Sequence, residues 1–441
     1  MRDYLILAVL FISAPLSLIS PYYGILMWSW LAYFNPHRYA WGVAHDFPVA
    51  IVIAVPTIIG AVFAKKNLNI FCREVVLLCG LWMWFVVTTL YIGTQPQFAG
   101  HLKDAQLHLE SVSKILLMTF ITILLIASRD KLRGLVLVIV ISFGLRAMVS
   151  AIFFLHTGGQ YRIWGPDNTF LGDNNDFALA LNMVIPLCFF MARSEAGRWV
   201  RVTLIVLLVG IVISVIGTFS RGGLLGLSTV ALLLLLKSRQ KILGMFALAA
   251  ALLFTVTFTT SAWQDRMKSF SEGTLDESAQ SRLIIWKAGW RLAGDYPITG
   301  GGFDVYTDTA VIPQYIEEPY RYIYGQHGPH SIYFQILGEQ GFVGLGLFLA
   351  LMGCCFRTLI RLKRTVKANP ALGWAAPYAD MLQVSLVAYM ANGATLGRCY
   401  FDLSYQIIAC VIILKLLCTR EAVLLLPSEN TYAGELVPAS A

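Results

Sequence analysis

Three short stretches of the 441-residue chain carry side chains whose types and spacing suit chemistry. The first is Thr218-Phe219-Ser220-Arg221-Gly222-Gly223, the polar break in an apolar run from Val200 to Leu236. Here Arg221 sits beside Gly222 and Gly223 where a helix should start. A guanidinium, free backbone N–H groups and the positive end of a helix dipole together suit an anion, above all phosphate. The plain alternative is a helix turn whose arginine snorkels to lipid headgroups. The second stretch is the amphipathic segment Ser281–Asp295. On a helix, Lys287 and Arg291 project at about 140° and 180° from Arg282, forming a narrow polar stripe suited to water or headgroups. Arg282 points away from that stripe, beside Trp286 and Ala293, and needs an internal anion. The alternative is an interfacial helix with generic lipid contacts. The third is His327-Gly328-Pro329-His330-Ser331. Pro329 fixes the approach, Ser331 can serve as N-cap, and His330 is held at the mouth of a helical bundle. Imidazole titrates near neutrality and is the usual general base. The alternative is a loop histidine satisfied by a backbone carbonyl, and His327 is the weaker candidate of the two.

Other candidates carry less. Asp173-Asn174-Asn175-Asp176 lacks the glycine and terminal glutamate of a calcium loop. Asn174 could bind sugar hydroxyls, or the group could cap the next helix. Arg146 falls inside a span and Arg398 in an outer turn, neither with an obvious partner, and an ionisable residue at such depth is a functional hypothesis by default. Gly300-Gly301-Gly302 reads as a turn. The eight cysteines, isolated or as Cys354-Cys355, give neither CxxC spacing nor a disulfide framework. No metal-ligand cluster, cofactor motif or Ser-His-Asp order emerges, so neither a metal nor a cofactor is expected.

These residues must be positioned by membrane helices. The chain is 57% hydrophobic, only 13% charged, and has a mean hydropathy of +0.68. Soluble domains carry about 25% charged residues. Long Leu/Ile/Val/Phe/Ala runs replace the alternating pattern of an outer-membrane barrel, so the fold class is an all-α integral membrane protein. Spans are predicted at 5–34 (broken near Ser20-Pro21), 48–63, 75–93, 113–127, 134–155, 176–192, 201–219, 222–236, 242–260, 331–356, 376–394 and 403–418, about twelve in all. Met1-Arg2 and the following apolar run imitate a signal peptide, but Ser17-Leu18-Ile19-Ser20-Pro21 lacks a small-x-small cleavage pattern. It is read as a retained first span. The organisation is an N-terminal bundle (1–260), a long loop with amphipathic helices (261–330), C-terminal spans (331–425) and a polar tail (426–441) expected to be disordered.

Five short loops, around Lys65, Arg129, Arg193, Lys237 and Arg357, hold 17 of the 33 lysines and arginines. The positive-inside rule makes them cytoplasmic. Loops 35–47, 94–112, 156–175 and 261–330 then share the outer face with the turn Thr395–Asp402. If the first run crosses once, both termini are cytoplasmic. The net charge of +8 is a topology signal and does not point to nucleic acid.

The ordered set Ser220-Arg221-Gly222, Ser281-Arg282 with Trp286, Asp295-Tyr296-Pro297-Ile298-Thr299-Gly300, His330-Ser331 and Glu339-Gln340-Gly341 resembles the O-antigen ligase and polymerase superfamily over about residues 170–360. Asn35-Pro36-His37-Arg38 is similar to the lipid A–core:O-antigen ligase branch found beside exosortase-type loci. The resemblance implies a metal-independent, GT-C-like helical bundle with a large periplasmic loop in the bacterial inner membrane. Such an enzyme moves a glycan from undecaprenyl diphosphate to a hydroxyl of lipid A–core oligosaccharide on the periplasmic face. Arg221 and Arg282 would hold the donor diphosphate, with Gly222, His327, Arg291 and Asn174 as further substrate-binding positions. His330 would deprotonate the acceptor. The family more often has Asn where this chain has Ser331, which puts side-chain contacts there in question. A polymerase of the same superfamily, or a transporter of a lipid-linked anion, are the competing readings. A transporter predicts inverted repeats with broken helices; no internal symmetry is evident, and His330 would have no task.

Overall fold

A computed structural model describes residues 2–64, 70–167, 169–237, 277–324 and 327–424. The expected span 242–260, the start of the long loop at 261–276 and the tail at 426–441 lie outside the described residues. What is described is helix without strands. The helices are α1 (Arg2–Ile19), α2 (Pro21–Phe34), α3 (Val49–Phe63), α4 (Arg73–Ile92), α5 (Leu102–Leu125), α6 (Arg129–His156), α7 (Asn174–Ser194), α8 (Arg198–Gly217), α9 (Arg221–Lys237), α10 (Glu277–Asp295), α11 (Ile332–Ala368), α12 (Ala375–Gly393) and α13 (Asp402–Leu424). Seven of the described helices are long and apolar enough to cross a membrane, and α3 is a shorter apolar helix beside them. The all-α membrane expectation is met.

The predicted first run is two helices. The chain breaks at Ser20, where Pro21 starts a new helix with the fixed φ that suits a first turn. It then folds back on itself. Asp3, at the start of α1, accepts hydrogen bonds from the backbone N–H groups of Gly42 (3.0 Å) and Ala44 (3.1 Å), just beyond the end of α2. At the other end Tyr22 donates to the Lys131 carbonyl, 3.0 Å away in a basic loop. The hairpin therefore places the start of α1 on the side of loop 35–47. The end of α13 lies on the opposite side, where Glu421 binds Arg129. The expectation that both ends share one face rested on a single crossing and is corrected.

The basic loops gather at one end of the bundle and find acids there: Arg133 with Glu195 at 2.6 Å, and Lys237 and Lys363 with Asp380 at 2.6 and 2.7 Å. The centre is α7, apolar on nearly all sides and buried along almost its whole length. It contacts α6, α8, α9 and α12. Close approach of α9 depends on its small face. A Cβ at Gly223 would meet the Ala178 Cβ at 2.7 Å, and one at Gly226 would overlap the Asn392 amide. Small residues at such spacing let membrane helices approach backbone to backbone.

The described part of the long loop folds down onto α11. Trp286 stacks on Phe334 with centroids 4.9 Å apart, and its indole donates to the Pro329 carbonyl at 2.6 Å. Ile285, Ala288 and Leu292 are fully buried. The triple glycine is a turn, as predicted, with positive φ at Gly300 and Gly302. It clamps a kink in α11 at Gly341, whose φ is 68°. Gly301 and Gly302 donate to the carbonyls of Gly338 (2.8 Å) and Glu339 (2.9 Å), and Phe342 donates to Pro297 (2.8 Å). The kink frees carbonyls that the glycine turn satisfies, as a buried helix break requires.

The hairpin makes a topological prediction. An epitope placed before Arg2 should be accessible from the same side of the membrane as one inserted in loop 35–47, and one after Leu424 from the other side. Antibody labelling of spheroplasts and inverted vesicles reads this directly; co-labelling of the two ends would contradict the hairpin.

Candidate active site

The break between α8 and α9 is held by polar side chains from the start of α7. Asp173 caps α7 by accepting from Asn175 N–H at 2.8 Å. The Asn174 amide donates to the Thr218 carbonyl at 2.8 Å. Ser220 donates to the Asn175 Oδ1 at 2.6 Å and accepts from Gly223 N–H at 2.9 Å, capping α9. Two turns deeper along α7, the Asn182 amide binds the Gly223 carbonyl (2.8 Å) and the Asn392 Oδ1 (3.1 Å). Phe219, which leads into this turn, has a φ of 53°. Non-glycine residues there cost of order 1–3 kcal/mol and persist where the surroundings over-determine them.

Against that helix start lies Arg282. A small crevice is lined by Asn175, Ser220, Gly222, Gly223, Arg282, Asn392 and Thr395. The fold thus brings the guanidinium of α10 to the first turn of α9, whose own first residue is Arg221. Gly222 is glycine for space as well as for its N–H: a Cβ there would meet the Thr395 hydroxyl at 2.7 Å. A guanidinium meeting a helix N-terminus in one crevice, with Arg221 at the start of the same helix, is an arrangement that suits an anion.

His330 stands on the same side. Its backbone N lies beside Gly397, and its φ is 42°, a second left-handed non-glycine residue at this end of the bundle. Part of the ring is open to solvent while protein crowds the rest. Desolvation, then the charge of Arg282, lowers its pKa below the ordinary 6.5, against an opposing pull from Asp173. His330 is therefore neutral at physiological pH and able to accept a proton. Ser331 occupies the N-cap position of α11, but its hydroxyl makes no capping hydrogen bond.

The remaining predicted positions divide. His327 is exposed and close enough to contribute to the lowering of the His330 pKa. Asn174 is buried, its amide spent on Thr218, and Asn175 beside it reaches the crevice instead. Arg291 stays in the polar stripe predicted for it: with Lys287 it grips Glu317, whose carboxyl is pulled down to about 2 by these two cations, and it donates to the Tyr315 carbonyl at 3.1 Å. The structure does not bring Arg291 to the crevice.

Several partners escaped the sequence. Arg398 forms an ion pair with Asp176, which is almost fully buried. Arg146 binds the Tyr39 hydroxyl and lies 5.1 Å from its ring centroid. Two histidines, His101 at the N-cap of α5 and His108 within it, pin the long loop. His101 bridges the Asp308 carboxylate (2.7 Å) and the Gly301 carbonyl (2.9 Å), both side chains buried. His108 binds both oxygens of Asp304 (2.9 and 3.1 Å) and stacks on Phe303 at 4.9 Å. Asp308→Ala should cost about 1–3 kcal/mol by stranding the buried imidazole, measured as a lower midpoint of thermal unfolding in detergent. An unchanged midpoint would mean the loop is held elsewhere.

Residues 203–349 match the family model described as O-Antigen ligase. That stretch contains Arg221, Arg282 and His330. Residues 1–196 match a second family, DUF5935, of unknown function. No curated protein matches the chain.

Proposed function

We propose that this chain, whose residues 203–349 match the O-Antigen ligase family model, is an O-antigen ligase of the bacterial inner membrane, transferring a glycan from undecaprenyl diphosphate to a hydroxyl of lipid A–core oligosaccharide at the periplasmic face. The superfamily assigns a glycosyl-transfer role of the ligase or polymerase type. The observation that carries the finer reading is the meeting of Arg282 with the first turn of α9, next to a neutral His330.

In the proposed reaction the acceptor oxygen attacks the anomeric carbon from the side opposite the diphosphate. The new C–O bond forms as the C–O bond to phosphate breaks, inverting the anomeric centre. The hydroxyl proton passes to His330, and both electrons of the breaking bond leave with the diphosphate. Arg221, Arg282 and the α9 N–H groups neutralise the charge that grows there, the kind of preorganised electrostatic stabilisation that lowers such barriers most. The arginines supply the charge that a metal ion provides in other transferases, so no metal or other cofactor is invoked. A proton acceptor contributes about 10²–10⁴-fold, and its pKa must lie below the working pH.

The reading makes separable predictions. His330→Ala should lower kcat by about 10²–10⁴-fold with little change in donor KM, measured with purified protein, lipid-linked glycan and acceptor. Turnover at wild-type rates would remove the base assignment. Because the His330 pKa is lowered from 6.5, kcat/KM should be flat above that pH and fall only in more acid solution as the ring protonates. Arg221→Ala and Arg282→Ala should each express normally and lose turnover. In cells, deletion should leave long chains on the lipid carrier; a single repeat on the core would instead identify a polymerase.

A further inference from the structure

A second cavity lies at the same end of the bundle, between α2, the start of α3 and α5, with a volume of about 610 Å³. It is built mainly from residues 1–196, the region matched by the family of unknown function. Its walls are apolar, with Trp28, Leu31, Phe47 and Ile115 among them, while Arg38, Lys114 and Arg398 supply positive charge against one acid, Asp402. An apolar cleft with a cationic edge is complementary to an amphiphile with an anionic head. Among the described residues, Arg38 pairs with the exposed Asp46 and Lys114 with the exposed Glu110. Such surface pairs are worth about 0–1 kcal/mol and exchange readily for a stronger anion. His37 also lines the cleft. It is buried, and its Nδ1 has no hydrogen-bond partner among the described residues. Burial and Arg38 lower its pKa to about 4, so the ring is neutral and has hydrogen-bonding capacity to spare.

Arg398 joins this cleft to the crevice. It lines the cavity and pairs with Asp176, next in the chain to Asn175, which holds Ser220. Which amphiphile belongs here follows from covalent chemistry. In a polyprenyl-diphosphate sugar the reacting anomeric carbon is bonded to one phosphate and the prenyl chain to the other. The lipid must therefore leave the site within one diphosphate of the bond that breaks. The acceptor's lipid anchor is a whole oligosaccharide away from its reacting hydroxyl, so it has no need of an apolar seat beside the arginines.

We propose that this cleft seats the lipid-side phosphate and the first isoprene units of a polyprenyl diphosphate donor, with Arg398 shared between the cleft and the Arg221–Arg282 crevice. The proposal rests on the donor class given above. It assigns to the N-terminal region the recognition of the carrier lipid, and to residues 203–349 the reacting end.

The test fills the cleft. Ala50 lines it and is exposed, so Ala50→Trp should obstruct it without disturbing the core. The ratio of kcat/KM for an undecaprenyl-linked donor to that for a donor with a methyl group in place of the prenyl chain should fall by about tenfold or more in this variant. An unchanged ratio, including an equal fall for both donors, would overturn the proposal. A second measurement needs no turnover: native mass spectrometry of detergent-purified protein with added undecaprenyl diphosphate. The wild type should retain the lipid, and Ala50→Trp and Lys114→Glu should lose it. Equal retention by all three, or none by the wild type, would overturn the cleft assignment. Retention without glycan transfer from either donor would sink the ligase reading and leave the carrier-lipid site standing.

Discussion

Everything around the crevice depends on how the polar break between α8 and α9 is satisfied. A helix that stops within an apolar bundle exposes carbonyls and N–H groups that lipid cannot bind. Here the start of α7 supplies the partners: Asn174 takes the Thr218 carbonyl, while Asn175 and Gly223 bind the Ser220 hydroxyl from either side. This rigid knot fixes where Arg221 emerges and leaves the first turn of α9 facing the crevice that Arg282 enters. It also accounts for the glycines, since α9 can reach α7 and α12 only if Gly223 and Gly226 carry no side chain.

The described part of the long loop is the second support. It is a roof anchored at several separate points: Trp286 on Phe334 and Pro329, the glycine turn on the Gly341 kink, and Asp304 and Asp308 on His108 and His101. Arg282 and His330 stand at its two edges, so the same anchors that fix the roof set the distance between these two side chains. The pairing of Lys287 and Arg291 with Glu317 belongs to the roof's own construction.

Much of this was legible in the sequence. Composition and run length identified the helical bundle, because membrane helices announce themselves by length and hydropathy. Pro329 and the Ser220-Arg221-Gly222-Gly223 break marked helix starts by local rules that hold in any context. What escaped was long-range pairing. Arg398 stood out as an outer arginine without a partner, yet Asp176 is 222 residues away and passed for a simple helix cap. His101 and His108 lie in a segment whose purpose emerges only when loop residues some 200 positions later fold onto it. The first run misled for a different reason. Its length of about 30 residues fits one tilted span or a short hairpin equally well, and the Asp3 contacts with Gly42 and Ala44 decide it.

The central claim is that one anion site is formed by groups from α9 and α10, which lie far apart in the chain. The most direct measurement is a cryo-electron microscopy structure of the protein with a non-hydrolysable undecaprenyl diphosphate glycan bound. The account predicts the diphosphate within ion-pair distance of both Arg221 and Arg282, with the anomeric carbon facing His330. A diphosphate bound away from the first turn of α9, or touching neither arginine, would contradict it.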